Sequence, residues 1–187
     1  MKIYVMRHCE RNMKDCSFES PLIYEGQNHA KNKYNELHEK NINVIYSSPF
    51  LRTIQTGDFY SKMKNLPINI DYSIAEYVSR QDKMNMNSIF DYKIPEKWVE
   101  NFKLNTNNMI KKDYNPNESL KDAILRVYTF ILNLKNKYKD SNDNILIITH
   151  MSIVNIILGL EKNFKFINDI DSFVENYYPM GLITELK

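Results

Sequence analysis

Residues 2–12, KIYVMRHCERN, carry the pattern from which the fold can be read. Residues 3–6 are a short apolar run whose β-branched and aromatic content is typical of a buried strand. Arg7 and His8 follow this run directly. Ligands of open α/β sheets bind just beyond the carboxyl ends of the strands. The position of Arg7 and His8 therefore indicates a functional site at the end of this strand.

A second apolar run, residues 145–149, delivers His150 in the same way. Two of the four histidines in the chain thus stand immediately after a predicted strand. If the two strands are parallel, their carboxyl ends share one edge of the sheet, and both imidazoles belong to the same site.

The remaining elements alternate between strands and helices. Apolar runs predict further strands over 42–46 and 68–72 and a last edge strand over 180–186, whereas helical spacing predicts helices over 27–40, 50–63, 118–138 and 151–160. The Ser-Ser-Pro sequence at 47–49 is typical of a helix start, with Ser as the cap. This order predicts an α/β fold, a three-layer sandwich with a mostly parallel central sheet flanked by helices.

Composition places the chain among ordinary globular domains. With 187 residues, 43% hydrophobic and 26% charged, we expect one domain over 1–187. The net charge of +2 predicts no nucleic-acid partner, and no apolar stretch approaches the length that crosses a bilayer. Neither a leader sequence nor a cysteine framework is visible, so the cytoplasm is the expected location. Residues 79–117 are a variable excursion, either a lid over the site or a surface elaboration.

The residues that follow the strands suit a phosphoryl group. Only five of the 25 cations are Arg, and Arg7 and Arg52 both stand at predicted strand-to-helix junctions, where a guanidinium can bind phosphate through two hydrogen bonds. Of the two imidazoles, at His8 and His150, one could attack phosphorus when neutral, and the other could hold an oxygen when protonated. Glu76 follows the third strand and could protonate the leaving oxygen.

Four segments in order resemble the motifs of the histidine phosphatase superfamily, the phosphoglycerate mutase-like proteins. Residues 7–10, RHCE, resemble the Arg-His-Gly-Glu motif of that superfamily. The other three segments are residues 47–56 (SSPFLRTIQT), residues 118–127 (with the pairs ES and RV) and residues 149–150 (TH). The resemblance implies a phosphoglycerate mutase-like fold and a phosphohistidine enzyme without metal or cofactor. It makes His8 the phosphoacceptor, and it places Arg7, Arg52 and His150 with His8 in the phosphate pocket. By the same resemblance Glu76 is the acid.

Two further acidic residues are expected to act through others: Glu10 and Glu118 would orient an Arg or His of the site. Cys9 stands where the superfamily has Gly, and we expect its thiol to be inert rather than a redox switch. A zinc site that combines His29 with His8, Cys9 and Cys16 is conceivable, but the ligand spacing does not support it.

The expected activity is hydrolysis of a small phosphorylated metabolite whose identity the sequence does not give. No Asp follows His150, which argues against the acid phosphatase branch, and the chain is short for a glycolytic mutase. A cofactor-dependent phosphoglycerate mutase and a catalytically weak phospho-ligand-binding protein remain as alternatives. The oligomeric state is open.

Overall fold

The computed structural model describes residues 1–77, 93–106, 115, 117–162 and 176–187. Within them lies a six-stranded sheet in the order β4-β3-β2-β5-β1-β6. Its strands are β1 (Lys2–Arg7), β2 (Val44–Ser47), β3 (Ile68–Ile70), β4 (Leu104–Asn105), β5 (Asn144–Thr149) and β6 (Ile183–Glu185). All neighbouring strands are parallel except β6, which runs antiparallel to β1. The predicted mostly parallel sheet and the last edge strand are therefore confirmed, and the antiparallel direction of β6 is a finding of the structure.

Helices cover both faces of this sheet. They are α1 (Tyr24–Asn32), α2 (Tyr34–Glu39), α3 (Leu51–Lys64), α4 (Glu96–Asn101), α5 (Leu120–Tyr138) and α6 (Met151–Lys162), and a short 3-10 helix spans Tyr72–Ile74. The alternation of side chains along the strands separates two cores. Tyr4 and Met6 of β1 pack on one face, with residues of α1, α2 and α3, whereas Ile3 and Val5 pack on the other, with α5 and α6. The predicted three-layer sandwich is thereby confirmed.

Several element boundaries differ from the prediction. The helix expected over 27–40 is two helices that meet at Lys33, and the first begins at Tyr24. Gly26 lets the first turn of α1 pack directly on the chain after β1, because a Cβ there would lie 2.1 Å from the carbonyl oxygen of Glu10. The strand predicted over 68–72 ends at Ile70, since the Asp71 carboxylate accepts a hydrogen bond from the backbone N–H of Ser73 and turns the chain into the 3-10 helix.

The excursion predicted over 79–117 lies partly outside the described residues. Its described part contains α4 and β4, and Leu104 of β4 pairs in parallel with Ile68. This part of the chain therefore extends the sheet. The assignment of 1–187 to a single domain stays a prediction. Among the helices of the described residues, none combines the length and apolar character needed to cross a membrane.

Candidate active site

The two histidines meet because β1 and β5 are adjacent and parallel. Arg7 pairs with Thr149 at the carboxyl ends of the strands, so the following residue of each strand enters the same space. The backbone N–H of His8 donates to the carbonyl of Thr149 at 2.9 Å. The ring centroids of His8 and His150 are 5.4 Å apart, and the rings are inclined by 65°. One site thus contains both imidazoles.

The tautomer of His8 is defined by a backbone carbonyl. Its Nδ1 lies 2.7 Å from the carbonyl oxygen of Cys9, and because a carbonyl only accepts, Nδ1 must carry the hydrogen. Burial lowers the pKa of His8 well below its usual value, and the neighbouring His150 and Arg52 lower it further. His8 is therefore a neutral imidazole whose Nε2 keeps its lone pair.

His150 lies among groups that can accept hydrogen bonds. Its Nε2 is 2.7 Å from the hydroxyl oxygen of Ser48, and its Nδ1 is 3.1 Å from Oε2 of Glu76. Burial, followed by the charge of Arg52, lowers the pKa of His150 well below its usual value. The expectation of a protonated second imidazole concerns the phosphate-bound state and stays a prediction. A phosphate dianion beside the ring would favour the protonated form.

Arg52 lies in the first turn of α3 with only 1% of its side chain exposed. Its Nη1 donates to the carbonyl of Ser17 at 2.9 Å, and its guanidinium carbon lies 4.5 Å from the ring centre of Phe50. The Nη2 atom is 3.9 Å from Oε2 of Glu76. Residue 50 occupies the N-cap without a side-chain hydrogen bond. The predicted Ser cap is therefore wrong, because the hydroxyl of Ser48 contacts His150 instead.

Arg7 is held in place from the carboxyl-terminal segment. Its Nη1 donates to the carbonyl of Tyr178 at 2.7 Å, and its guanidinium carbon lies 5.7 Å from the ring centre of Tyr177. The side chain is buried, yet Nε has no hydrogen-bond partner among the residues that the structure describes. A buried, unsatisfied guanidinium N–H at the edge of the sheet is suited to an anion.

Glu76 reaches the same place from the end of the 3-10 helix. One fifth of its side chain is exposed, and its Oε2 lies near His150 and Arg52 at the distances given above. Burial raises the pKa of this carboxyl group, and the charge of Arg52 opposes the rise. The structure thus places a carboxyl group with a raised pKa beside the imidazole of His150, and a raised pKa is what a general acid requires.

The segment that precedes Glu76 is held by α5. Arg126 donates from Nη1 to the carbonyl of Ser73 at 2.8 Å and from Nη2 to the carbonyl of Ala75 at 2.9 Å. Its Nε lies 2.8 Å from one carboxylate oxygen of Glu118 and 3.0 Å from the other. We call these two residues, Arg126 and Glu118, the clamp. Of the two acidic residues expected to orient an Arg or His, Glu118 contacts Arg126.

The carboxylate of Glu10, the other of those two, contacts His29. Both of its carboxylate oxygens are 3.0 Å from Nδ1 of His29 on α1. Sequence reasoning also missed Arg11, whose charge contributes to the lowered pKa of His150 and opposes the raised pKa of Glu76. The rarity of Arg in the chain was the available signal for it.

An α/β sheet whose carboxyl edge gathers two arginines, two neutral histidines and a carboxyl group defines a class of protein: enzymes that transfer or hydrolyse phosphoryl groups. The family model for the histidine phosphatase superfamily (branch 1) matches residues 3–169, and the chain belongs to this superfamily. By this family assignment it is a histidine phosphatase.

Individual relatives agree with this placement. Phosphoserine phosphatase 1 of Hydrogenobacter thermophilus is 24% identical over 155 residues, which cover 80% of this chain and 71% of the relative. The ecdysone phosphate phosphatase of Bombix mori, solved with tungstate, has a TM-score of 0.73 at 13% identity, covering 98% of this chain and 88% of that one. A mycobacterial glucosyl-3-phosphoglycerate phosphatase, solved with VO3, has a TM-score of 0.66 at 13% identity, with coverages of 98% and 91%. These two structures establish the shared fold.

Proposed function

We propose that the protein is a metal-independent phosphomonoesterase that works through a phosphohistidine at His8 on a small phosphorylated metabolite. One observation carries the proposal: the carbonyl of Cys9 holds the hydrogen of His8 on Nδ1, which leaves the lone pair of a neutral Nε2 available for attack. The buried guanidinium groups of Arg7 and Arg52 would bind the phosphoryl oxygens.

The reaction has two steps. In the first, Nε2 of His8 bonds to phosphorus, the ester P–O bond breaks, and Glu76 gives its proton to the leaving oxygen. In the second, the Glu76 carboxylate takes a proton from water while that water attacks phosphorus, the P–N bond breaks, and inorganic phosphate leaves. His150 and the two arginines stabilise the charge of the transferring group in both steps.

The clamp is part of this proposal. Glu76 has to lie close enough to the leaving oxygen to transfer a proton, and its backbone follows directly from the two carbonyl groups that Arg126 holds. Glu118 fixes the guanidinium of Arg126 in turn. We therefore assign Arg126 and Glu118 as positioning residues for the acid.

Phosphoserine is the first substrate to test, because a relative from Hydrogenobacter thermophilus is a phosphoserine phosphatase. Aryl phosphate hydrolysis tests the chemistry independently of the natural substrate. The mutase alternative differs only in the fate of the phosphoryl group, which would pass to a second substrate oxygen instead of water. A bisphosphoglycerate-dependent isomerisation assay separates the two reactions.

The phosphohistidine is tested by rapid quenching with labelled substrate and mapping of the labelled residue. We expect the label on His8 in the wild-type protein, and neither label nor turnover in His8→Ala. His38→Ala is the matched control, since His38 is an α2 histidine whose Nδ1 contacts Lys64 outside the site. Turnover should persist in excess chelator and stop with vanadate. Label that survives in His8→Ala, or activity lost with chelator, would contradict the proposal.

A further inference from the structure

A second cluster of chemically active side chains includes Cys9, the residue that follows the proposed nucleophile. The thiol of Cys9, the carboxylate of Glu10 and the imidazole of His29 offer three ligand atoms, which all lie within 4.8 Å of one another. Cys9 is buried, whereas the side chains of Glu10 and His29 are 37% and 31% exposed. The cluster therefore combines a buried thiol with a carboxylate and an imidazole that are both accessible to solvent.

We propose that Cys9, Glu10 and His29 bind one zinc ion, and that this ion inhibits the phosphatase. The donor set is the first reason. A thiolate and an imidazole select zinc over magnesium or calcium, and three protein ligands leave a fourth position for water. The charge is the second reason, because a thiolate and a carboxylate together neutralise a divalent cation. The only proton changes are loss of the thiol proton to water and a shift of the His29 proton from Nδ1 to Nε2.

The three ligand atoms lie within 4.8 Å of one another, so their separations have to adjust when zinc binds. Tetrahedral zinc, with bonds of about 2.0–2.3 Å, keeps its N, O and S ligands roughly 3.3–3.6 Å apart. The Nδ1 atom of His29 is already 3.0 Å from both Glu10 oxygens. Gly181 leaves room for the imidazole, since a Cβ there would lie 2.5 Å from the ring. The cation near the thiol, Lys33, is paired with Glu36 at 2.9 Å, which reduces its repulsion of an ion.

The coupling to activity runs through the backbone of Cys9. Its carbonyl accepts the Nδ1 hydrogen of His8 at 2.7 Å, and its N–H donates to the hydroxyl of Thr56 at 3.0 Å. A zinc–sulfur bond constrains the same residue from its side chain. We therefore expect the bound ion to shift the carbonyl that orients the nucleophile, and so to lower kcat rather than raise KM.

Zinc binding is measured by competition with a chromophoric chelator, and inhibition by phosphate release at buffered free zinc. Cys9→Ser and His29→Gln should weaken both binding and inhibition by more than about tenfold. Cys16→Ser and His38→Gln are matched controls that replace the same residue types outside the cluster, and they should behave as the wild-type protein does. Co²⁺ in place of zinc should give a thiolate-to-cobalt absorption band that Cys9→Ser lacks and Cys16→Ser keeps.

Zinc could instead enter the phosphate pocket, and the same assay distinguishes that case. Ions held by His8 and His150 would be displaced by vanadate and would still inhibit His29→Gln. Such a result, the absence of a thiolate band, or zinc that binds without slowing turnover would overturn the proposal. The phosphatase activity itself, measured in chelator, does not depend on the outcome.

Discussion

Replacing Arg126 by Met tests the clamp, because Met keeps the apolar length of the side chain and removes its five N–H donors. The substitution leaves two backbone carbonyls, those of Ser73 and Ala75, without a donor. It also removes the guanidinium that lies against the carboxylate of Glu118, whose side chain is 8% exposed. We expect a loss of both stability and correct placement of Glu76.

The magnitude follows from the burial of the pair. Removal of one partner of a buried ion pair costs about 3–5 kcal/mol of unfolding free energy. Because 17% of the Arg126 side chain is exposed, we expect about 3 kcal/mol, the lower end of that range. For a chain of this size this lowers Tm by roughly 6–12 °C. A displacement of Glu76 by about 1 Å would reduce its contribution to the rate by roughly 10²-fold.

The assay compares two leaving groups. An alkyl phosphate such as phosphoserine needs the proton from Glu76, whereas an activated aryl phosphate leaves without it. The kcat of Arg126→Met should therefore fall roughly 10²-fold with the alkyl phosphate and less than about tenfold with the activated aryl phosphate. Arg126→Lys should restore part of the difference, because Lys keeps the charge but cannot form the fork.

Ser119→Ala is the matched control at the same end of α5. The hydroxyl of Ser119 accepts a hydrogen bond from the backbone N–H of Asp122 as half of a capping box, and it contacts neither Ser73 nor Ala75 in the described hydrogen bonds. Its loss should cost about 1 kcal/mol and change the two rates equally. If Arg126→Met also lowers the rates with both substrates by the same factor, Arg126 does not position the acid.

Three further predictions concern single side chains of the site. Glu76→Gln should slow phosphoserine by roughly 10²–10⁴-fold and an activated aryl phosphate much less, as steady-state kinetics on both would show; equal losses would remove Glu76 from the acid role. The pKa of His150 is lowered in the folded protein. As the pH falls below 6.5, the unfolded chain therefore binds a proton that the native protein does not bind. The free energy of unfolding then decreases as the pH decreases. In urea titrations between pH 6.5 and 5.5, His150→Asn should show a shallower decline than the wild-type protein, whereas parallel lines would mean that the imidazole is not buried in its neutral form. Burial raises the pKa of the Cys9 thiol to about 12. Iodoacetamide should therefore label Cys16 but not Cys9 in the native protein kept in chelator. Detection of a labelled Cys9 by mass spectrometry would refute this.

The sequence sufficed for the part of the site that depends on strand order. His8 and His150 follow apolar runs, and once those runs are parallel neighbours, the register Arg7–Thr149 brings the residues after them together. The three-layer fold was predictable for the same reason, because the alternation of apolar strands and amphipathic helices is local and repeated. Arg52 was found because it stands at a predicted strand-to-helix junction in a chain where Arg is rare.

Contacts between distant segments could not be predicted. Strand β4 has two residues, too few for a periodic signal, and it is recognisable only through its pairing with Ile68. Ser48 was predicted to be part of a helix cap, because the sequence cannot show that its hydroxyl forms a hydrogen bond with His150, 102 residues later. The spacing of Cys9, Glu10 and His29 likewise gave no metal pattern, since α1 brings His29 back over a segment 19 residues earlier.

The surroundings of the two histidines explain how one pair of imidazoles can supply two chemical roles. The ring nitrogen of His8 that has a protein partner faces an acceptor, which leaves Nε2 free to attack phosphorus. At His150 both nitrogens lie near groups that can accept, a hydroxyl oxygen of Ser48 and a carboxylate oxygen of Glu76. A protonated His150 would therefore lie beside the Ser48 hydroxyl and a carboxylate whose charge favours the cation, whereas a protonated His8 would lose its nucleophilic lone pair. When a phosphate dianion makes a cation favourable in this buried site, the proton is best placed on His150, and under the proposed mechanism the nucleophile is then left unprotonated beside it.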